Sequence, residues 1–164
     1  MRNAEYWIKH LKLLPHPEGG YFKEVYRSDE EIAKESLPDR YPDNRSFSTS
    51  IYFLLEKDDF SAFHRIKSDE IWHFYDGDPV SIYVIDNNGK LVNYELGLSP
   101  DKGILPQVTI PANNYFASRS TGSFSLVGCT VSPGFDFADF EMANRNALIN
   151  SHSKYKKIIE QFTR

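Results

Sequence analysis

The sequence predicts a mainly β protein built as an antiparallel sandwich or barrel, and three features carry that expectation. Apolar residues first recur at helical spacing, then change at about residue 20 to an alternation that lasts to Val131. Gly, Pro, Asn and Asp punctuate the alternating region roughly every ten to fifteen residues. No helical pattern intervenes between these breaks, which argues against parallel βαβ units. A chain of 164 residues is long enough for one core and too short for two enzymatic lobes. Residues 1–164 are therefore read as a single domain, with strands over about 20–131 and flanking helices over about 3–14 and 137–163.

Trp7, Ile8, Leu11 and Leu14 share one face of the first helix, with Asn3 placed to cap it and Pro15 to stop it. The prolines and glycines of Pro15–Gly20 forbid regular structure there. Phe47, Thr49, Ile51, Phe53 and Leu55 then alternate with Ser48, Ser50, Tyr52 and Leu54, and Val80, Ile82 and Val84 alternate with Ser81, Tyr83 and Ile85. Asn87-Asn88-Gly89 suits the positive φ values of a type I′ turn, so residues 80–86 and 90–96 are expected to pair as a hairpin. The polar stretch 29–44 reads as a long exposed loop. Near the C-terminus the helical period returns: Asp136 is placed to cap a helix carrying Phe137, Phe140, Ala147 and Leu148, and Ser153 one carrying Tyr155, Ile158, Ile159 and Phe162.

Composition excludes several partners. The net charge is -4 and no basic cluster is longer than Lys156-Lys157, which leaves little to counter a phosphate backbone, so no nucleic acid is expected. The longest apolar run, Ile51 to Leu55, falls far short of the ~20 residues that span a bilayer, and the N-terminus lacks a signal-peptide core, so neither membrane nor export is expected. A lone Cys129 excludes an internal disulfide and a four-thiolate zinc site and fits a cytoplasmic location.

The stretch Phe60–Gly77, FSAFHRIKSDEIWHFYDG, is the most informative for chemistry. His64, Glu70 and Gly77 stand in the spacing G-x5-H-x-H-x3/4-E-x6-G, with Asp58 in place of the first Gly and Ile66 in place of the second His. In this it resembles the first motif of the cupin superfamily. Pro111 aligns with the proline of the second cupin motif, and Asn113 stands at a glycine position where Asn tolerates the left-handed conformation. Leu105, Phe116 and Ser120 stand where that motif has Gly, His and Asn. The blocks LLPHPEGGYFKEVYRS, IYFLL, FHRIKSDEIWHFYDGDPV and LVGCTVSPGFDFADFE extend the likeness over nearly the whole chain. Together they resemble the small cupin family designated domain of unknown function 985. The resemblance implies a jelly-roll β-barrel, commonly a homodimer, with an interior cavity for a small-molecule ligand; it implies no established reaction.

Three readings of that cavity remain open. Many cupins hold a divalent metal by three His and one Glu; here His64 and Glu70 are the matching candidates for a metal cofactor, and the ligand set is incomplete. His73 is a further ligand-binding candidate and a substitute metal ligand if a bulge turns it inward, since its strand parity is opposite to that of Glu70. The second reading is acid–base chemistry on a small carbonyl or sugar-type compound, analogous to the cupin sugar-nucleotide epimerases. In it His64 is the base, Glu70 tunes it, and Tyr52, Tyr26 or Tyr115 is the donor. The third is a binding module in which Trp72, Phe74 and Phe116 form the pocket and Arg65 or Arg27 orients a ligand with His64 and Glu70. Pro17 and Glu18 are read as shaping a turn, in a block that could lie over the barrel mouth, His10, His16 and His152 as residues without chemistry, and Arg45 as one half of an ion pair.

Overall fold

Thirteen strands and three short helices form the chain in the computed structural model, which describes residues 2–164. Helix α1 (Ala4–Leu11) begins where Asn3 Oδ1 accepts the Tyr6 N–H at 3.0 Å. It ends at Lys12, whose φ of 56° turns the chain before Pro15 is reached. The strands follow as β1 (Leu14–Pro15), β2 (Tyr21–Arg27), β3 (Glu31–Ile32), β4 (Arg45–Ser46), β5 (Thr49–Glu56), β6 (Phe60–Arg65) and β7 (Asp69–Gly77). Beyond them lie β8 (Val80–Ile85), β9 (Leu91–Leu96), β10 (Gln107–Ile110), β11 (Tyr115–Ser120), β12 (Phe124–Ser132) and β13 (Glu141–Met142).

Two antiparallel sheets, ordered β1-β2-β5-β12-β7-β10 and β13-β6-β11-β8-β9, face each other without closing into one hydrogen-bonded ring. Strands adjacent in space are mostly distant in sequence, as in a jelly roll. Between the sheets Phe53, Leu55, Trp72, Val127 and Cys129 of the first pack on Val80, Ile82, Val84 and Phe116 of the second. The first sheet is covered on its other face as well: Leu54 and Leu126 pack under Trp7, Ile8 and Leu11 of α1. That double burial is why Ile51–Leu55 reads as a continuous apolar run rather than a clean alternation. Phe47, counted with the inward set in the sequence, precedes β5 and is 45% exposed.

The hairpin β8–β9 pairs Val80 with Leu96 through Ile85 with Leu91. Its turn differs from the type I′ expectation, because Gly89 (φ 71°) has positive φ and Asn88 does not. Asp86 Oδ1 instead accepts the N–H groups of Asn88 and Lys90, which holds a type I-like turn. Asn113 does take the left-handed conformation, at φ 65°. Asp136 caps only one 3-10 turn, Phe137–Asp139, and the chain then extends as β13. Helix α2 (Arg145–Ser151) has its own cap in Asn144, and α3 (Lys156–Gln161) follows a 3-10 turn that Ser153 opens without a side-chain cap. Together they bury Leu148, Ile159 and Phe162 on the outer face of the second sheet. A continuous helix from Asp136 would carry Phe140 away from the interior; the extended segment lays it against His64.

Candidate functional site

The sheets enclose, at one end, a cavity of about 240 Å³ whose wall is largely aromatic and whose lining includes His16, Glu18, His64 and Glu70. Glu18 reaches it from the loop between β1 and β2. The loop is pressed onto the neighbouring strands: His16 N–H bonds to Gly20 O, Ala62 N–H bonds to Glu18 O, and Gly20 N–H bonds to Asp59 Oδ2 at 2.7 Å. A side chain at Gly19 would strike the Phe60 carbonyl, and one at Gly20 would lie 2.6 Å from the Leu54 carbonyl. Both glycines also have positive φ, so Glu-Gly-Gly is what lets the loop lie flat and insert its carboxyl.

Strand β6 receives that carboxyl on a face made by a bulge. Between Phe116, opposite His64, and Ser118, opposite Ser61, β11 advances two residues while β6 advances three. Ser61 and His64 consequently share a face, and both bond Glu18: Ser61 Oγ donates to Oε1 at 2.9 Å, and His64 Nε2 lies 3.1 Å from Oε2. His64 Nδ1 is 2.7 Å from Ala62 O and must be the donor there, since a carbonyl only accepts. A neutral His64 therefore offers a lone pair at Nε2, and the proton between Nε2 and Oε2 belongs to the carboxyl. Burial favours the neutral form of both partners. It lowers His64 to about 3 and, with Glu70 nearby, holds Glu18 well above the usual carboxylate range against the opposing Ser61 bond. His16, T-shaped to Phe22 at 4.6 Å, accepts the Glu18 N–H at Nδ1 and is lowered by burial to about 4.

Glu70 lines the same cavity from β7 and is 8% exposed. It lies against the Cys129 thiol and the Trp72 indole, whose N–H completes no hydrogen bond. Burial pushes Glu70 up to about 7 and drives the Cys129 thiol well above its ordinary value, so Cys129 is a poor nucleophile. His64 and Glu70 thus meet around one cavity, but the hydrogen-bonded partner of His64 is Glu18 rather than Glu70.

The other candidates divide by strand geometry. Trp72 lines the cavity; Phe74 and Phe116, also expected there, do not, Phe74 packing half-buried against the inter-sheet core and Phe116 lying within it on the His64 ring at 4.1 Å. Tyr52 points to the α1 side of the first sheet, edge-on to Tyr75, and is not a donor into the cavity. Tyr26 is turned outward, 54% exposed, because a register shift in β2 between Glu24 and Tyr26 brings Phe22, Glu24 and Arg27 to the cavity side instead. Arg65 is committed outside to Glu141 at 2.7 Å, as is the Tyr115 hydroxyl. His73 faces away, as its parity requires, with Nε2 3.3 Å from Thr130 Oγ1. His16 and Glu18 are the residues that sequence reasoning passed over, and the glycine pair after Glu18 was their signal.

A metal of the cupin type fits this arrangement poorly. Among the described residues no three His, Cys, Asp or Glu side chains converge as a metal site. Both His64 nitrogens are occupied by Ala62 and Glu18, and Ile66 lines the cavity in place of the motif's second imidazole.

Comparison with known proteins agrees with the fold. A family model described as Cupin superfamily (DUF985) matches residues 5–143. A Shewanella oneidensis protein of known structure is 38% identical, with a TM-score of 0.90 over 100% of this chain and 99% of its own. A hypothetical protein from Leishmania major is 34% identical, with a TM-score of 0.89 over 99% of both chains. An uncharacterized protein of Saccharomyces cerevisiae is 29% identical over 143 residues, 80% of this chain and 71% of that protein. Bacillus subtilis oxalate decarboxylase aligns at 12% identity and a TM-score of 0.55, over 90% of this chain and 36% of its own, a likeness of fold alone. No described helix is long and apolar enough to cross a membrane.

Proposed function

The chain belongs to the DUF985 family of the cupin superfamily, and from that premise we propose that it is a proton-transfer enzyme, an isomerase or epimerase acting next to the carbonyl of a small polar or sugar-type metabolite. The observation that carries this reading is the 3.1 Å His64–Glu18 contact between two buried groups beside a third, Glu70, which burial pushes up to about 7. A group that titrates near neutrality can both take and return a proton at useful rates. The Glu70 carboxylate removes the proton from the carbon next to the carbonyl and becomes the acid. The His64–Glu18 pair gives its proton to the developing enolate oxygen, leaving a Glu18 carboxylate against a neutral imidazole. For an isomerisation, Glu70 then returns its proton to the neighbouring carbon while the Glu18 carboxylate takes one from the neighbouring hydroxyl, so every proton is restored with no oxidant and no co-reactant. Apolar walls strengthen the interaction of these groups with the developing charge.

The test is deuterium exchange. A panel of ketoses, aldoses and their amino derivatives incubated with the protein in D₂O should include a member whose α-proton is lost in the ¹H NMR spectrum. Glu70→Gln should slow that exchange by about 100-fold or more. Ligands that bind in the cavity without any exchange above buffer would leave a binding module and end the enzymatic reading.

A further inference from the structure

The cavity contains carboxyl groups that no cation answers. Glu70 is 8% exposed and has no Lys, Arg or His ion-pair partner among the described residues. Glu18 meets two histidines that burial keeps neutral. Among the described residues the one guanidinium that lines the cavity, Arg27, is engaged: Nε and Nη2 donate to Glu24 at 3.0 and 2.7 Å, and Nη2 also reaches Phe135 O at 3.0 Å. Glu24 and Asp136 add further negative charge to the lining. Much of the remaining wall is aromatic, beside the aliphatic Ile51, Ile66 and Val131. Phe135, Phe137 and Phe140 pack edge to face, His16 stacks near Phe137 at 24°, and Phe22, Phe53 and Trp72 complete the enclosure.

Aromatic rings arranged around a buried acid are the chemistry that recognises an organic cation: the ring quadrupole attracts an ammonium, and the carboxylate supplies its counter-charge where water is excluded. An anionic ligand meets the opposite, since Arg27, the lining cation among the described residues, is already paired with Glu24 and the other ionisable groups there are carboxyls and neutral histidines. From the uncompensated Glu70 inside an aromatic enclosure we infer that the ligand of this cavity carries an ammonium group, a protonated or N-methylated amine, seated between Glu70 and the Phe137–Phe140 wall. This rests on reading the cavity as a small-molecule site and narrows the proposed substrate to an amine-bearing carbonyl compound or amino sugar; it does not depend on chemistry taking place there.

The groups that face Glu70 define how binding should respond to pH. They are Cys129 from β12, Trp72 on its own strand, Glu18 from the loop after β1, and His64 beyond Glu18 on β6. The thiol stays protonated and the two histidines stay neutral across pH 6 to 8, given the directions of their shifts. The bound cation should draw a proton off Glu70, so affinity should rise with pH through about 7.

Choline and its uncharged isostere 3,3-dimethyl-1-butanol differ only in the charged centre and serve as probes with the full-length protein. Titration by calorimetry or NMR should find choline bound roughly tenfold more tightly. That preference should be lost in Glu70→Gln while the alcohol binds unchanged, and choline binding should release protons to the buffer near pH 7. Equal or tighter binding of the alcohol, or a choline affinity indifferent to Glu70→Gln, overturns the cation inference and leaves the proton-transfer proposal standing. Binding of neither probe overturns the inference as well. Loss of the deuterium exchange described above, with choline selectivity intact, would instead remove the enzymatic reading alone.

Discussion

Two neighbouring residues, Asp139 and Phe140, belong to buried polar groups of opposite kind. Asp139 receives Arg45 through Nε at 2.6 Å and Nη2 at 2.7 Å, with Lys67 Nζ 3.3 Å away, and Arg45 Nη1 is used up by the Asp43 and Asn44 carbonyls. Both side chains of that pair are 3% exposed, and every strong donor has an acceptor. Phe140, one residue on, packs on His64 in a group that is as deeply buried but holds carboxyls without cations. The first arrangement suits a clamp: it ties β4, at the end of the long 29–44 loop, to the segment that roofs the cavity. In the second, charge is kept out by burial and returns only with a proton or a ligand, which is what a functional site requires.

If the clamp is structural, Arg45→Met leaves the buried Asp139 carboxylate with only the half-buried Lys67 and should cost about 3 kcal/mol in urea unfolding, whereas Arg45→Met with Asp139→Leu should recover most of it. A cost near zero for the single change would erase the distinction between the two groups. The cavity should answer with the opposite sign. Glu70 has its folded value raised from 4.5 to about 7, so as pH rises through that window the unfolded chain gives up its proton first and stability falls. Glu70→Gln removes that decline and should stabilise the protein above pH 7 by up to about 3 kcal/mol, at the expense of function. His16 and His64, lowered to about 4 and about 3, run the other way: the unfolded chain binds their protons first as pH falls below about 6.5, and that acid-side loss should persist in Glu70→Gln. A Glu70→Gln profile parallel to the parent's would show that the buried carboxyl is not the strained group. The smallest effect belongs to Arg65→Ala, which breaks an exposed pair with Glu141; its cost should stay below about 1 kcal/mol, with choline binding unaltered.

His64, Glu70 and Trp72 were legible as cavity residues because motif spacing and strand parity both placed them on one face, and they line it. His73, a ligand-binding candidate in the sequence, does not reach the cavity: strand parity turns it to the other face, against Thr130. Tyr26 fails for the reason Arg27 succeeds: one register shift in β2 exchanges the faces of everything after Glu24, and no residue type in YFKEVYR announces it. The bulge in β6 that turns Ser61 toward Glu18 is equally silent. Glu18 itself lay in a segment without periodicity, where sequence reasoning reads turn chemistry and nothing more. Its importance comes from what it meets 43 residues later at Ser61.

The alternation of apolar residues, the turn residues and the motif blocks were enough to determine the antiparallel β class, the first helix, the β8–β9 hairpin and the presence of His64 and Glu70 inside, because each is carried by short-range pattern; the strand order and the extended course of the chain after Asp139 were not. Which carboxyl bonds the imidazole, which tautomer His64 adopts and which side chains titrate near neutrality were decided only when β2, β6, β7 and β12 were brought together. Ionisation depends on what surrounds a group in space and how completely it is shielded from water, and neither quantity is carried by neighbours along the chain.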